Sequence, residues 1–161
     1  MADVIQVGAD APDFTLPSNL LTPEGKPGKP VTLSSYRGQP VVLAFYPLDF
    51  SPTCSSEHAC FRTDLDAFAS VKAQILGISV DSAWCHKAFA AAHQIEYPLL
   101  ADFHPKGATA AKFGLYYDDK GFTARATVVV DKDGKVAYVK VQGLGEARDD
   151  KEILAALAAL S

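Results

Sequence analysis

Buried-strand segments alternate with helical segments along the first two thirds of this chain. Val41 to Tyr46 and Gln74 to Val80 are short apolar runs rich in β-branched and aromatic residues, which is the composition of a buried strand. Residues 54–69 carry apolar side chains at helical spacing, and an alanine-rich segment over 83–93 follows the N-cap signature Asp81-Ser82. This alternation predicts a sheet with helices on both faces.

The last third of the chain predicts a hairpin and a final helix, so the sheet is expected to be mixed. The turn Asp131-Lys132-Asp133-Gly134 separates two strand-like runs and is the clearest hairpin signal in the chain. A strand is predicted at Tyr97–Ala101 and a helix at 105–113. The two hairpin strands are predicted at Arg125–Val130 and Lys135–Val141, and the last helix at Asp149–Leu160. We therefore expect an α/β, thioredoxin-like fold with a central mixed β-sheet flanked by helices, in one domain over residues 1–161.

Composition and charge argue against several kinds of partner. The net charge is −4 and no cluster of Lys and Arg occurs, which disfavours binding to nucleic acid or to an anionic membrane surface. No apolar stretch approaches transmembrane length, and Met1 to Gln6 lacks the basic and apolar regions of a signal peptide. Three cysteines do not make a disulfide framework, so we expect a cytoplasmic protein whose cysteines take part in redox chemistry. His58, His93 and His104 have no zinc-like spacing with any cysteine, so no metal site is expected.

Cys54 lies where a reactive thiol can be stabilised. It comes shortly after the predicted strand Val41–Tyr46 and begins the predicted helix 54–69. A helix N-terminus presents unpaired N–H groups that stabilise a thiolate. In open α/β sheets functional groups gather at the carboxyl ends of strands, and Cys85 follows a second such end. A small, inert, buried cysteine fits the position of Cys54 equally well, so the position alone leaves both interpretations open.

The residues around Cys54 resemble the active-site pattern of the peroxiredoxins. That pattern, Pro-x-x-x-Thr/Ser-x-x-Cys, occurs here as Pro47, Ser51 and Cys54, and Arg125 fits the position of an active-site arginine in such enzymes. Further segments resemble the family in the same order along the chain: Ala11–Phe14, Glu57, Arg62, Val80–Ser82 and Pro98–Asp102. Phe103 to Gly107 is more similar to the one-cysteine, AhpE-type branch of the AhpC/TSA group than to the typical two-cysteine enzymes. The resemblance implies a thioredoxin-like fold with the N-terminal extension of peroxiredoxins.

The resemblance also implies a thiol-dependent peroxidase that reduces hydrogen peroxide and organic hydroperoxides, with no cofactor. In this reaction the thiolate of Cys54 attacks one peroxide oxygen and becomes a sulfenic acid. Arg125 offers a fork of donors to the thiolate and the peroxide, and the Ser51 hydroxyl can hydrogen-bond to either. Pro47 shields the sulfur from water, and N–H groups around Thr53 and Cys54 hold the leaving oxygen.

The sulfenic acid must be reduced by a second thiol, and three sources remain open. Cys85 resembles the resolving cysteine of atypical two-cysteine thiol peroxidases, in which it would form an intramolecular disulfide with Cys54. We expect the helix N-terminus and the neighbouring His86 to keep Cys85 partly ionised, and the start of the helix at Cys54 to unfold for the bond to form. Cys60 lies ~9 Å along the same helix, too far for a disulfide unless the helix opens. An external thiol, thioredoxin-like or of low molecular weight, would make the protein a one-cysteine enzyme.

Two other functional classes compete with the peroxidase. A thiol–disulfide oxidoreductase normally uses Cys-x-x-Cys, and Ser51 in the first position disfavours it. A redox sensor without efficient turnover begins with the same oxidation of Cys54 and stays open. We also expect a homodimer formed through the active-site loops, and we expect Trp84 and Phe50 to rim the thiol pocket and favour hydrophobic peroxides.

Overall fold

The computed structural model describes residues 3–160, except for the side chains of residues 57–60, 62 and 63. The strands in this part of the chain are β1 (Thr15–Pro17), β2 (Pro30–Thr32), β3 (Val41–Phe45), β4 (Gln74–Ser79), β5 (Leu99–Ala101), β6 (Tyr116–Tyr117), β7 (Phe122–Thr123), β8 (Arg125–Val130) and β9 (Val136–Gln142). The helices are α1 (Pro52–Thr63), α2 (Leu65–Ser70), α3 (Ala83–His93), α4 (Ala108–Lys112) and α5 (Asp150–Ala158).

The central sheet has five strands in the order β5-β4-β3-β8-β9. Strands β3, β4 and β5 are parallel to one another, whereas β8 runs antiparallel to β3 and β9 antiparallel to β8. The predicted mixed sheet is therefore confirmed. The predicted hairpin turn joins β8 to β9, and the carboxylate of Asp131 accepts bonds from the N–H groups of Asp133 and Lys135, each at 2.9 Å.

Helices cover both faces of this sheet because alternate residues of a strand point in opposite directions. Val42 and Ala44 of β3 belong to one apolar cluster, which also contains Phe61, Phe68, Phe89 and Ile153 from α1, α2, α3 and α5. Leu43 and Phe45 belong to a second cluster on the other face, with residues from α4 and from the N-terminal segment. Burial of one such large apolar side chain stabilises a fold by about 1.5–3 kcal/mol.

The N-terminal segment packs against the edge strand β5. Its strands β1 and β2 form an antiparallel pair outside the central sheet. The Ser18 hydroxyl donates to the carbonyl of Lys29 at 2.7 Å, and the N–H of Leu99 in β5 donates to the side chain of Asn19 at 2.9 Å. The bond between Leu99 and Asn19 attaches the N-terminal extension to the sheet, whereas the bond between Ser18 and Lys29 lies within the extension.

Three local elements differ from the prediction. The single helix expected over 54–69 is divided into α1 and α2 at Asp64, whose φ of −94° and ψ of 8° are those of a turn. Aspartate favours such breaks because its short polar side chain competes with helical backbone bonds. The helix expected over 105–113 is limited to Ala108–Lys112, and the two-stranded β6–β7 hairpin was not predicted. Between residues 3 and 160, no helix is both long and apolar enough to cross a membrane.

Candidate active site

The carboxyl end of β3 and the amino end of β8 lie side by side because the two strands are antiparallel. Phe45, the last residue of β3, is opposite Ala126 in the register of the pair. Arg125 begins β8, so its side chain points away from that of Ala126. The Ala126 side of the strand packs with α4, and the other side packs with α1. This topology places Arg125 between the sheet and α1.

Helix α1 begins two residues before Cys54. Pro52 occupies the first helical position, where its missing N–H is no loss. The carbonyl of Ser51 accepts a bond from the N–H of Ser55 at 2.9 Å, so Cys54 lies in the first turn. The N–H groups of Thr53 and Cys54 are among those that a helix leaves without intrahelical partners, and no side chain of the described residues accepts from them. These N–H groups can therefore stabilise an anion or a developing oxyanion.

Cys54 and Arg125 form a buried contact. Nη2 of Arg125 donates to Sγ of Cys54 at 3.1 Å, and the two residues are 1% and 0% exposed, respectively. The same guanidinium also donates to the carbonyl of Leu144, from Nε at 3.1 Å and from Nη2 at 3.0 Å. A buried guanidinium attracts negative charge that develops on a neighbouring atom, because this attraction is weakly screened there. The structure thus brings together two residues that sequence analysis assigned to the same site.

Arg148, a second arginine near this pair, was missed by sequence analysis. Arg148 donates to the carbonyls of Phe45 and Ala126 and, at 3.1 Å, to the hydroxyl of Thr127. It thereby joins the ends of β3 and β8 from which the active-site loop and Arg125 emerge. Burial and the like charge of Arg125 lower the pKa of Arg148 to about 10. No local pattern distinguishes this residue from a solvated arginine before a helix.

Pro47 and Ser51 lie on the loop between β3 and α1. Pro47 is buried, as expected for a residue that shields the site. The hydroxyl oxygen of Ser51 is also buried and has no hydrogen-bond partner among the described residues. An unpaired buried hydroxyl is unfavourable in the free protein, but it remains available to a bound molecule.

Asp49 ties the same loop to neighbouring elements. The hydroxyl of Tyr46 donates to Oδ1 of Asp49 at 2.6 Å, and Nδ1 of His86 lies 2.7 Å from its Oδ2. The N–H of Asp49 donates to the carboxylate of Asp81 at 2.9 Å, and Nε2 of His86 lies 2.9 Å from the carbonyl of Leu100. Burial and the Asp49 carboxylate raise the pKa of Tyr46 well above its ordinary value. This network fixes the loop that precedes Cys54.

Phe50 stabilises the loop on its outer side. Its backbone has φ of 66°, which is uncommon for a residue other than glycine. Its ring packs against Phe89 of α3 with centroids 5.0 Å apart, while 52% of the side chain stays exposed. Trp84, at the start of α3, is 62% exposed. Both side chains are therefore surface groups of the loop region, and their role in peroxide preference stays a prediction.

Cys85 has surroundings that differ from the expectation. Ser82 caps α3 by accepting from the N–H of Cys85, but Sγ of Cys85 itself contacts the carboxylate of Asp81 at 3.9 Å. Burial and the carboxylates of Asp49 and Asp81 raise the pKa of the Cys85 thiol to about 12. The expectation that His86 keeps this thiol partly ionised is wrong, because the imidazole faces Asp49 and the carbonyl of Leu100 instead.

Asp49, Asp81 and Cys85 are also the group of described residues that could contact a metal ion. One ligand atom from each lies within 4.8 Å of the others. Their oxygen atoms already accept bonds from Tyr46, from the hydroxyl of Ser79 and from the backbone of Asp49. A metal ion would have to displace these protein contacts.

Four of the residues considered in the sequence have side chains outside the described part of the structure. They are Glu57, His58, Cys60 and Arg62. Cys54 and Cys85 are both free thiols.

A thioredoxin-like sheet that carries a buried thiol in contact with a guanidinium defines a thiol-dependent peroxidase. Comparison with known proteins agrees. The model of the AhpC/TSA family matches residues 7–139. The chain is 36% identical over 159 residues to alkyl hydroperoxide reductase E of Mycobacterium tuberculosis, covering 98% of this chain and 99% of that protein.

Solved structures show the same relationship. Reduced 2-Cys peroxiredoxin of Plasmodium vivax matches with a TM-score of 0.84 and 32% identity, over 95% of this chain and 80% of that one. Mycobacterium tuberculosis AhpC matches with a TM-score of 0.86 and 26% identity, over 98% and 99% of the two chains. The chain belongs to the AhpC/TSA family of peroxiredoxins, and the predicted thioredoxin-like peroxiredoxin fold is confirmed.

Proposed function

We propose that Cys54 is the residue that reacts with peroxide and that Arg125 is its charge partner. The observation that carries this proposal is the 3.1 Å contact between Nη2 of Arg125 and Sγ of Cys54 in a buried site. The substrates are hydrogen peroxide and organic hydroperoxides.

In the proposed reaction the Cys54 thiolate donates an electron pair to one peroxide oxygen. The S–O bond forms as the O–O bond breaks, so the sulfur is oxidised to a sulfenic acid and the peroxide is reduced. The leaving oxygen takes a proton and departs as water or an alcohol. Arg125 stays bound to Leu144 throughout, so its donors are already oriented when charge moves onto the peroxide oxygens.

Ser51 and the start of α1 support the same step. The buried Ser51 hydroxyl has no partner among the described residues, so it can donate to the peroxide without losing another bond. The N–H groups of Thr53 and Cys54 stabilise the leaving oxygen. Pro47, buried beside them, limits the access of water.

The sulfenic acid is next reduced by a thiol. In the first form of this proposal the Cys85 thiolate attacks Cys54, the S–S bond forms, and hydroxide leaves and is protonated to water. A thioredoxin-like or other thiol reductant then reduces the disulfide. Burial and the carboxylates of Asp49 and Asp81 raise the pKa of the Cys85 thiol, and this favours a second form in which an external thiol attacks Cys54 directly.

We propose that the protein is cytoplasmic, because free cysteines persist in that compartment. We also propose that it forms a homodimer. Leu48, Phe50, Trp84 and Phe103 are exposed apolar side chains on segments that follow the carboxyl ends of β3, β4 and β5. A second copy that covers them would remove this apolar surface from water. Light scattering of the purified protein should give twice the chain mass, and cell fractionation should find the protein with cytoplasmic markers. A monomer, or recovery outside the cytoplasm, would contradict the respective assignment.

The experiment that tests the chemistry measures the second-order rate of hydrogen peroxide consumption by the reduced protein. Cys54→Ser should abolish consumption. Arg125→Met should lower the rate by ~100–1,000-fold, because it removes a preorganised donor from a buried site. Cys85→Ser is the matched control and should leave the first oxidation unchanged. Consumption by Cys54→Ser at the wild-type rate would overturn the proposal.

Peptide mapping after one equivalent of peroxide distinguishes the two recycling routes. A Cys54–Cys85 disulfide supports the two-cysteine form. A persistent sulfenic acid on Cys54 with Cys85 free supports recycling by an external thiol. The same sample tests the redox sensor, which would be oxidised once and would not turn over with any added thiol.

A further inference from the structure

His86 lies in the interior with acceptor atoms on both sides of its ring. Its Nδ1 is 2.7 Å from Oδ2 of Asp49, and its Nε2 is 2.9 Å from the carbonyl oxygen of Leu100. The side chains of His86 and Asp49 are both 0% exposed. The protein groups around this pair therefore determine where its hydrogens lie.

Both acceptors can be satisfied at once only if a hydrogen lies on each side of the ring. A neutral imidazole has one N–H group and one nitrogen lone pair. The carbonyl of Leu100 has no hydrogen to offer, so Nε2 of His86 is the donor in that bond. The hydrogen between Nδ1 and Asp49 then belongs either to the imidazole or to the carboxyl group.

The surroundings of Asp49 assign this hydrogen to the imidazole, which is a stronger base than a carboxylate. The hydroxyl of Tyr46 donates to Oδ1 of Asp49 at 2.6 Å, and a bond of this kind favours the ionised carboxylate. Burial and the Asp49 carboxylate raise the pKa of Tyr46, so the phenol keeps the hydrogen that it donates. The remaining atoms of the ion pair are thus hydrogen-bonded, which offsets the cost of removing two charges from water.

Two further titratable groups lie next to this pair. The Asp81 carboxylate accepts from the N–H of Asp49 at 2.9 Å and from the hydroxyl of Ser79 at 2.5 Å. Sγ of Cys85 and one carboxylate oxygen each of Asp49 and Asp81 lie within 4.8 Å of one another. A positive charge on His86 is favourable here, because it reduces the repulsion between the two carboxylates.

We infer that His86 is a positively charged positioning residue, which fixes the loop carrying Ser51 and Cys54 through its ion pair with Asp49. Asp49 comes two residues before Ser51 and five residues before Cys54. The N–H and the side chain of Asp49 are both bonded, so the loop cannot rotate at this residue without breaking these contacts. The ring of His86 bonds to Asp49 and Leu100, so it acts on Cys54 through the loop.

The pair joins three elements of the fold. His86 belongs to α3, Leu100 to β5, and Asp49 to the loop between β3 and α1. The loop is thereby held in register with the sheet before any peroxide binds, and small displacements of reacting groups are costly to a reaction rate. This catalytic consequence rests on the proposed function, in which Ser51 and Cys54 act on the peroxide.

Nuclear magnetic resonance of the reduced protein tests the charge of His86. With isotopically labelled histidine, both ring nitrogens of His86 should show a directly bonded hydrogen near neutral pH. The resonances are assigned by their absence from His86→Gln. In Asp49→Asn the amide can donate to a neutral imidazole, so Nδ1 should lose its hydrogen. A single bonded hydrogen on the ring in wild type would overturn the inference.

The rate of peroxide consumption tests the positioning role. His86→Gln leaves the buried Asp49 carboxylate without the imidazolium and should lower the second-order rate by about 10–100-fold. In the double variant Asp49→Asn/His86→Gln, the two amides can bond to each other and to Tyr46 and Leu100, and no buried charge is left unpaired. The double variant should therefore react faster than His86→Gln alone. Losses that simply multiply in the double variant would show that the two side chains act independently and would overturn the role.

Lys87→Gln is the matched control, because it removes an exposed positive charge from the same helix and should keep the wild-type rate. An equal loss in this control would mean that the net charge of α3 matters, and the positioning role would be wrong. If His86→Gln does not fold, the resonances of wild type and Asp49→Asn still decide the charge. No peroxide enters that measurement, so a wild-type protein that consumes no peroxide would contradict the proposed function and leave the charge of His86 to be decided separately.

Discussion

Replacing Asp81 by asparagine should make Cys85 a markedly better nucleophile. Burial, with the carboxylates of Asp49 and Asp81, raises the pKa of the Cys85 thiol from 9.0 to about 12, and the Asp81 carboxylate lies 3.9 Å from Sγ of Cys85. A rise of this size lowers the thiolate fraction near neutral pH by ~1,000-fold. Asparagine has nearly the same shape, and its oxygen can still accept from Ser79 and from the backbone of Asp49. The substitution therefore removes the charge and retains the main contacts.

Removal of one like charge at this distance should lower the pKa of Cys85 by about one unit. At a fixed pH below the pKa, the thiolate fraction of Cys85 should then rise about tenfold, and the alkylation rate should rise about three- to tenfold, because a thiolate of lower pKa is intrinsically less nucleophilic. The assay is time-resolved alkylation with iodoacetamide in the Cys54→Ser background, followed by peptide mapping across a range of pH. Rates should increase tenfold per pH unit in both proteins, with the curve of Asp81→Asn displaced to lower pH.

Glu24→Gln is the control, since it removes one negative charge from an exposed loop and should leave the rate unchanged. If Asp81→Asn and wild type are alkylated at equal rates, the carboxylate does not suppress Cys85, and the electrostatic account of this residue is incorrect. In a protein with Cys54 present, the same substitution should also accelerate formation of the Cys54–Cys85 disulfide.

Two further substitutions test the roles of single side chains. Ser51→Ala should lower the rate of peroxide consumption at least about tenfold, because a hydrogen-bond donor is lost. The free energy of unfolding, measured with urea, should stay unchanged or rise by up to ~1 kcal/mol, because the buried hydroxyl has no partner among the described residues. A large loss of stability would show that the hydroxyl is structural. Arg148→Met should lower the free energy of unfolding by about 3 kcal/mol in the same assay, because the carbonyls of Phe45 and Ala126 lose their donor. A change below ~0.5 kcal/mol would mean that water replaces the guanidinium.

Much of the fold could be predicted because it depends on local patterns. The apolar runs that became β3 and β4, the turn at Asp131–Gly134 and the capping Ser82 are each recognisable within a few residues. The break at Asp64 was missed, since aspartate occurs inside many helices and its neighbours have helical spacing. Periodicity alone does not show where one helix ends and the next begins.

Some residues of the candidate site could likewise be predicted from the sequence, and others could not. Cys54 and Arg125 could be paired because a family pattern contains both, although they are far apart in the chain. The surroundings of Cys85 could not be predicted, because Asp49 approaches it from another loop only after β3 and β4 have paired. The bonds of Arg148 to the carbonyls of Phe45 and Ala126 likewise join segments that are far apart in the chain, which no short segment encodes.

Arg125 and Cys54, the two partners of the buried contact, are held by different kinds of structural element. Arg125 is held by β8, an interior strand bonded to β3 on one side and β9 on the other, whereas Cys54 is held by a helix on the surface of the sheet. If α1 opens during recycling, as disulfide formation with Cys85 requires, the sulfur is the partner that moves, and it returns to a guanidinium held by the sheet. Substitutions in α1 beyond its first turn can then change how quickly the enzyme is recycled without altering the groups that carry out the first oxidation, so natural selection can adjust the two properties separately.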